Sequence, residues 1–319
     1  MKKATVFLAK YSRILILLLI CVGLTLGTEN FLVFTNIINV LRQSSMLAIM
    51  SLGMMCAMLL GRGVDISIGS TLAFSSCMAA GLLVNQDNPA LLIVGILYAL
   101  FIGVAIGVLN GAMIAYLRLP AILVTFGTRE IFRGLTYAIM RGEVVTNLHP
   151  AIRYLGGGRL FGEIPMPIVL ALLLTVLTAL MLKRTRAGRE LYLVGANPYS
   201  AKFSGIKTNR TIILGFAASG LLSAIAGIIY LGRLGTAEGE IGQAFAFQSI
   251  GAVAIGGVSF RGGVGSAWGA IIGALIITLL INGMNLLSVS SYWQGTVNGA
   301  IIILAVLIDY FASKRLSEQ

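Results

Sequence analysis

Ten apolar runs separated by short breaks of Gly, Pro, Asn and charge limit what this 319-residue chain can become. They cover residues 12–28, 46–61, 66–84, 90–117, 121–140, 165–183, 211–232, 246–260, 265–287 and 294–312. A bilayer-crossing helix needs roughly 20 residues of this character. Only 11% of the residues are charged against 58% apolar, whereas a soluble domain carries roughly 25% charge. A water-exposed fold built this way would display apolar patches larger than a monomer tolerates. The expected fold is therefore an all-α, polytopic transmembrane bundle of about ten spans with short loops. It forms one domain over residues 1–319, with no stretch left for a separate soluble unit.

Two of the runs are short enough to be half-helices. Residues 29–45 contain Asn30, Asn36, Asn39 and Arg42 and read as an interfacial helix, too polar to span. The start, with Lys2 and Lys3 before an apolar run from Ile14 to Leu26, imitates a secretory signal, yet no Ala-x-Ala site follows, so it reads as a retained first span. Cys21, Cys56 and Cys77 all fall in apolar runs and read as small buried hydrophobes.

The net charge of +12 would suggest nucleic acid in a soluble protein. Its distribution argues otherwise. With a cytoplasmic N-terminus and ten spans, sixteen of the 23 Lys and Arg fall inside, five outside (Arg42, Arg141, Arg153, Arg159, Arg233) and two within a span. Six of the eleven acids, Glu29, Asp87, Glu143, Glu163, Glu238 and Glu240, lie outside. This is the positive-inside bias, and it predicts both termini in the cytoplasm and membrane lipid, not nucleic acid, as the partner of the basic excess.

Small residues recur every fourth position at Ala99, Gly103, Gly107, Gly111 and Ala115, and again at Gly265, Gly269 and Gly273. Such stripes let helix backbones approach closely. Two loops also echo one another, Gly61-Arg-Gly-Val-Asp-Ile-Ser-Ile-Gly-Ser70 and Gly257-Val-Ser-Phe-Arg-Gly-Gly-Val-Gly-Ser266. Each ends in Gly-Ser and leads into an apolar helix, as a diverged internal repeat would.

Equipment for covalent chemistry is missing. The single histidine, His149, stands in a long outer loop and reads as an ordinary loop residue. There is no Gly-x-Ser-x-Gly, no His-Glu-x-x-His, no Cys/His cluster and no phosphate-binding Gly-x-x-x-x-Gly-Lys loop. No catalytic residue, cofactor or metal ligand is assigned.

Three polar loci remain. In Lys183–Arg210, seven cations accompany one acid. Asn197 followed by Pro198 is an N-cap with proline at the first helical position, and Gly205 supplies a stop. The result is a short helix over 198–204 carrying Tyr199, Ala201 and Phe203, either a plain orienting loop or a docking element for a cytoplasmic partner. The second locus is Asp65. It pairs with Arg62 if the loop lies at membrane depth, or sits in a short cytoplasmic turn with a surface ion pair. The third is Arg129, Glu130 and Arg133, which snorkel outward, line an aqueous cavity or pair internally. Asn110, Asn282, Asn285 and Gln294 suit a hydroxylated solute and would equally tie helices together.

Four stretches, taken in order, resemble the permease subunit of ribose-type ABC importers, which move monosaccharides. They are Gly63–Ser70; Gly107-Val-Leu-Asn-Gly111 through Pro120, Thr125, Gly127, Arg133 and Gly134; Gly188-Arg189, Gly195-Ala-Asn197, Ala201 and Ser204-Gly-Ile206; and Ala252–Ser259 with Gly262–Gly265. The resemblance implies a bacterial inner-membrane protein in which two permease chains, identical or homologous, form the path. An ABC ATPase pair, holding ATP and Mg, sits beneath them, and a periplasmic or extracellular sugar-binding protein delivers the solute. It makes 183–210 the coupling segment, through Gly188, Arg189, Gly195, Asn197, Pro198, Tyr199, Ala201, Ser204 and Gly205. Candidates for the translocation path are Asp65, Ser67, Asn110, Thr125, Thr128, Arg133 and Asn282. Phe245-Ala-Phe-Gln-Ser249 and Arg129-Glu130 depart from the family pattern and leave the particular sugar open. An ion-driven secondary transporter, or the same machinery importing a sugar-like signal molecule, are the alternatives.

Overall fold

In the computed structural model, which describes residues 2–85, 88–290 and 292–317, nearly all regular structure is helical. The outer acid Asp87 lies outside the described residues. In lipid a chain must satisfy its backbone polar groups internally, which a helix does within one segment. The order is α1 (Lys2–Gly27), α2 (Phe34–Met58), α3 (Ile68–Leu83), α4 (Pro89–Tyr116), α5 (Ala121–Met140) and α6 (Pro150–Gly157). A two-residue hairpin, β1 (Arg159–Leu160) with β2 (Ile164–Pro165), leads to α7 (Met166–Arg184), α8 (Arg186–Ala196), α9 (Pro198–Phe203) and α10 (Thr208–Leu234). The chain continues through α11 (Phe245–Ile255), α12 (Ala267–Leu286) and α13 (Tyr292–Ser317).

Among the described residues five helices, α2, α4, α7, α10 and α12, are long and apolar enough to cross a membrane. The most apolar stretch of α2 is 83% buried, that of α7 only 28%. Hence α2 is the axis of the bundle, and α7 presents Leu172, Leu173, Val176, Leu177 and Leu180 outward. Around α2 the core gathers Met50, Leu52, Met54, Met55 and Met58 with Phe216 of α10, methionine being suited to irregular gaps. The longest shared face is α4 against α10. It follows the predicted stripe. A Cβ at Gly103 would come within 2.6 Å of the Ala224 side chain, at Gly107 within 2.8 Å of Ala217 Cα, and at Gly111 within 2.6 Å of Ile213 Cα. Gly269 and Gly273 bring α12 onto the α11 backbone in the same way.

The reading of 29–45 as a separate interfacial helix is overturned, because residues 34–58 form one continuous helix. Part of its polarity is paired inside the bundle: Asn36 exchanges side-chain bonds with Asn282 at 3.2 and 2.8 Å and donates to Phe31 O, whereas Arg42 Nε and Ser51 Oγ are buried without a hydrogen-bond partner. Ser44 and Ser45 donate to Leu41 O. The two short pieces are α3 and α11. At 1.5 Å per residue the 11 residues of α11 reach about 16 Å, half of a bilayer core. The 246–260 run is thus a half-helix followed by a loop. Cys56 and Cys77 are buried and all three cysteines are free. His149 caps α6, its ring nitrogen accepting from Ala151 N at 3.1 Å.

Candidate functional site

The polar segment between α7 and α10 folds as two short helices joined at a sharp corner, one more than the sequence pattern suggests. Thr185 closes α7 and caps α8, its hydroxyl accepting from Gly188 N at 3.1 Å. Arg186 and Glu190, four apart on α8, pair at 2.7 Å. Leu191, Val194, Gly188 and Gly195 face the bundle. The Tyr192 hydroxyl donates to Gly265 O at 2.9 Å, and burial holds the phenol above its ordinary pKa.

Asn197 then caps α9, accepting from Ser200 N at 3.0 Å, with Pro198 in the first turn. Gly205 N donates to Lys202 O and Ile206 N to Ala201 O, a Schellman ending with Gly205 at φ +79°. Ser204 reinforces it by donating to Ser200 O. Only Ala201 of α9 is buried; Tyr199 and Phe203 are 78% and 92% exposed. Lys183, Arg184, Arg186, Arg189, Lys202, Lys207 and Arg210 are exposed around them. The arrangement is a rigid, doubly capped knob with an aromatic tip in a cationic surround.

The second locus lies in the interior. Asp65 is 1% exposed and does not pair with Arg62, which is exposed. Instead one carboxylate oxygen accepts from Ser67 N at 3.1 Å and Ser67 Oγ at 2.6 Å, and the other from Ser219 Oγ of α10 at 2.7 Å. Ser67 is the N-cap of α3, so the carboxylate stands beside the buried N-terminus of that helix, where the macrodipole favours negative charge. The chain of bonds continues. Asn110 Nδ2 of α4 donates to Ser67 Oγ at 2.9 Å, and Thr128 Oγ1 of α5 donates to Asn110 Oδ1 at 2.6 Å. Thr125 Oγ1 shares its proton between Ala121 O of its own helix at 2.8 Å and Val64 O at 3.2 Å. Asp65, Ser67, Asn110, Thr125 and Thr128 therefore converge on one node that ties α3, α4, α5 and α10 together.

Arg133 and Asn282 stand apart from it. Arg133 is buried and donates to three backbone carbonyls, Gly239, Ile241 at 2.9 Å and Gly69 at 3.3 Å, pinning the α10–α11 connection to the first turn of α3. Its neighbour Arg129 pairs with Glu130 at 3.3 Å and lies 5.8 Å from the Phe126 ring centre. Asn282 is spent on Asn36. Among the described residues no group of three or more His, Cys, Asp or Glu side chains is placed to hold a metal.

The family described as branched-chain amino acid transport system / permease component matches residues 36–306. The chain belongs to this permease family. It is 37% identical to the ribose import permease of Escherichia coli K12 over 93% of this chain and 92% of that one. It is 36% identical to the ribose import permease of Bacillus subtilis 168, over 92% and 90%. It is also 34% identical to the D-allose transport system permease of E. coli K12, over 97% and 94%. No solved structure matches it.

Two parts of this permease's site had no signal in the sequence. Ser219 sits 154 residues from the carboxylate it donates to, inside an apolar run where a serine reads as packing. Tyr192 sits in a basic segment, and nothing local marks its bond to a loop 73 residues away. The hydrophobic period of α8, with Leu191 and Val194 inward and Leu193 outward, would have revealed that helix.

Proposed function

We propose that this permease is the non-catalytic membrane subunit of an ATP-driven importer for a monosaccharide, with hydrolysis carried out by a separate ATPase chain. The observation that carries the coupling role is the doubly capped α9 with exposed Tyr199 and Phe203. Two aromatic side chains held in water by a built helix need a partner groove, and a soluble ATPase supplies one. The seven exposed cations around them match an acidic groove rim. Sugar is favoured over amino acid because the relatives sharing nine-tenths of the chain are named for ribose and allose. A galactose/methyl galactoside import permease of Haemophilus influenzae is 32% identical over 95% of this chain.

In this reading α1, α5 and α13 join the five long helices, α3 and α11 are the broken pair, and both termini are cytoplasmic in a bacterial inner membrane. A second permease chain completes the path, and a binding protein delivers the solute from outside. Broken helices commonly border solute sites. The burial of Asp65, Ser67, Asn110, Thr125, Thr128 and Arg133 supports a role in fixing α3 beside the path, with no direct contact to solute. Asn282 serves the α2–α12 contact in the same manner.

The test is reconstitution with a matching ATPase and binding protein. Uptake of ribose, allose and galactose is measured with and without ATP, and again after deletion of residues 197–205. ATP-dependent uptake of one of these sugars that disappears on deletion is expected. Uptake by the chain alone, collapsed by an uncoupler, would establish an ion-driven carrier instead; uptake only of a sugar-like signal molecule would move the substrate class.

A further inference from the structure

The two echoing loops meet. One follows α2 and leads to α3, the other follows α11 and leads to α12, and between them stands the corner of α8 and α9. A Cβ at Gly195 would overlap the Leu59 carbonyl oxygen and come within 2.6 Å of Gly263 N. One at Gly61 would strike the Arg261 carbonyl and stand 3.0 Å from Gly195 O, and one at Gly262 would strike the Gly61 backbone. At Gly263 it would lie 2.8 Å from the Ala196 backbone. Gly61, Gly262 and Gly263 have φ of +63°, +85° and +71°, where a Cβ is strained as well as crowded. Two directed bonds close the contact: Gly263 N donates to Leu59 O at 2.9 Å, and the Tyr192 hydroxyl donates to Gly265 O.

We infer that Gly61, Gly195, Gly262 and Gly263 form a three-way backbone joint that carries movement of α9 to both loops at once. The inference rests on the coupling role of α9 proposed above. Gly195 is two residues from the Asn197 cap, so the lever has no slack before the joint. On the other side, three residues separate Gly61 from Asp65, whose bonds reach Ser219, and through Ser67 reach Asn110 and Thr128. Backbone packed on backbone without intervening side chains has no rotamers to absorb a displacement. A push on α9 is therefore delivered to the N-terminal end of α3 and to the start of α12. These glycines are positioning residues. They touch neither solute nor nucleotide.

The experiment uses the full complex and reads three quantities: co-purification of the ATPase, ATP hydrolysis, and sugar transported per ATP. Gly195→Ala is expected to keep the ATPase bound and hydrolysing while transport per ATP falls about tenfold, the scale of a typical coupling between sites. Gly23→Ala, whose Cβ meets nothing within 4 Å, should match the wild type. If Gly195→Ala does not accumulate, Tyr192→Phe decides, since it removes one bond and keeps the ring; a two- to fivefold fall in the same ratio is expected. An unchanged ratio in the variant that decides overturns the joint, and so does loss of the ATPase from it, which would make the glycines part of the docking surface. Tyr199→Ser with Phe203→Ser is the companion variant. If it leaves ATPase binding intact, the coupling role of α9 fails, whatever the joint variants do.

Discussion

Replacing Asp65 by alanine removes the acceptor shared by three buried donors, Ser67 N–H, Ser67 O–H and Ser219 O–H. A buried group left unpaired costs about 1–3 kcal/mol. The Ser219 hydroxyl can rotate toward a carbonyl of α10, and the Ser67 oxygen keeps its bond from Asn110 Nδ2, which puts each near the low end. The Ser67 N–H cannot turn, and it also loses the anion at the α3 terminus, together about 2 kcal/mol. The expected loss is about 3–5 kcal/mol for Asp65→Ala. Asp65→Asn keeps one oxygen toward Ser67 and meets Ser219 with an amide, so about 1–2 kcal/mol is expected. Unfolding of the purified permease in lipid nanodiscs, titrated with denaturant, reads both values. ATP-driven uptake by Asp65→Asn should persist and ignore an uncoupler. A stability for Asp65→Ala within about 0.5 kcal/mol of wild type would refute the node as a structural tie. Abolished uptake by Asp65→Asn at unchanged stability would instead make the carboxylate a transport group.

Two further outcomes follow from packing and exposure. Gly107→Val places a branched side chain 2.8 Å or less from the Ala217 backbone, so α4 separates from α10; a loss of about 3 kcal/mol or more is expected, measured by the same unfolding titration. Tyr199→Ser with Phe203→Ser forfeits about 1.5–3 kcal/mol of burial per aromatic on docking, which predicts ATPase affinity weaker by roughly a hundredfold or more in a binding titration, with unfolding of the permease unchanged.

What could be read from the chain, and what could not, divides by the range of the interactions. Helix α9 was legible because its signals are adjacent: Asn197 and Pro198 start it and Gly205 stops it. The α4 stripe was legible because a four-residue spacing repeats within one helix. Helix α2 was misjudged at its N-terminal end because Asn36 reads as exposed polarity until Asn282, 246 residues away, is seen to receive it. The same holds for Asp65. Its sequence neighbour Arg62 is the natural partner on local grounds, yet Ser67 and Ser219 occupy the carboxylate and Arg62 faces outward. The break that turns 246–260 into a half-helix was only partly legible. Gly256 and Gly257 allow it, but the close seat of α11 on Gly269 and Gly273 of α12 fixes where the helix stops. Hydropathy identifies the solvent, and hydrogen-bond partners far along the chain decide where helices break within it.

The sidedness of α9 bears most directly on the whole account. With Cys21, Cys56 and Cys77 replaced by serine or alanine, a single cysteine at Ser200, an exposed position, is challenged with a membrane-impermeant maleimide. Labelling in inside-out vesicles but not in intact cells, blocked when the ATPase is added back, is the predicted result. Labelling from the exterior of intact cells would place the knob on the wrong side of the membrane and contradict its role as the lever of an ATP-driven importer.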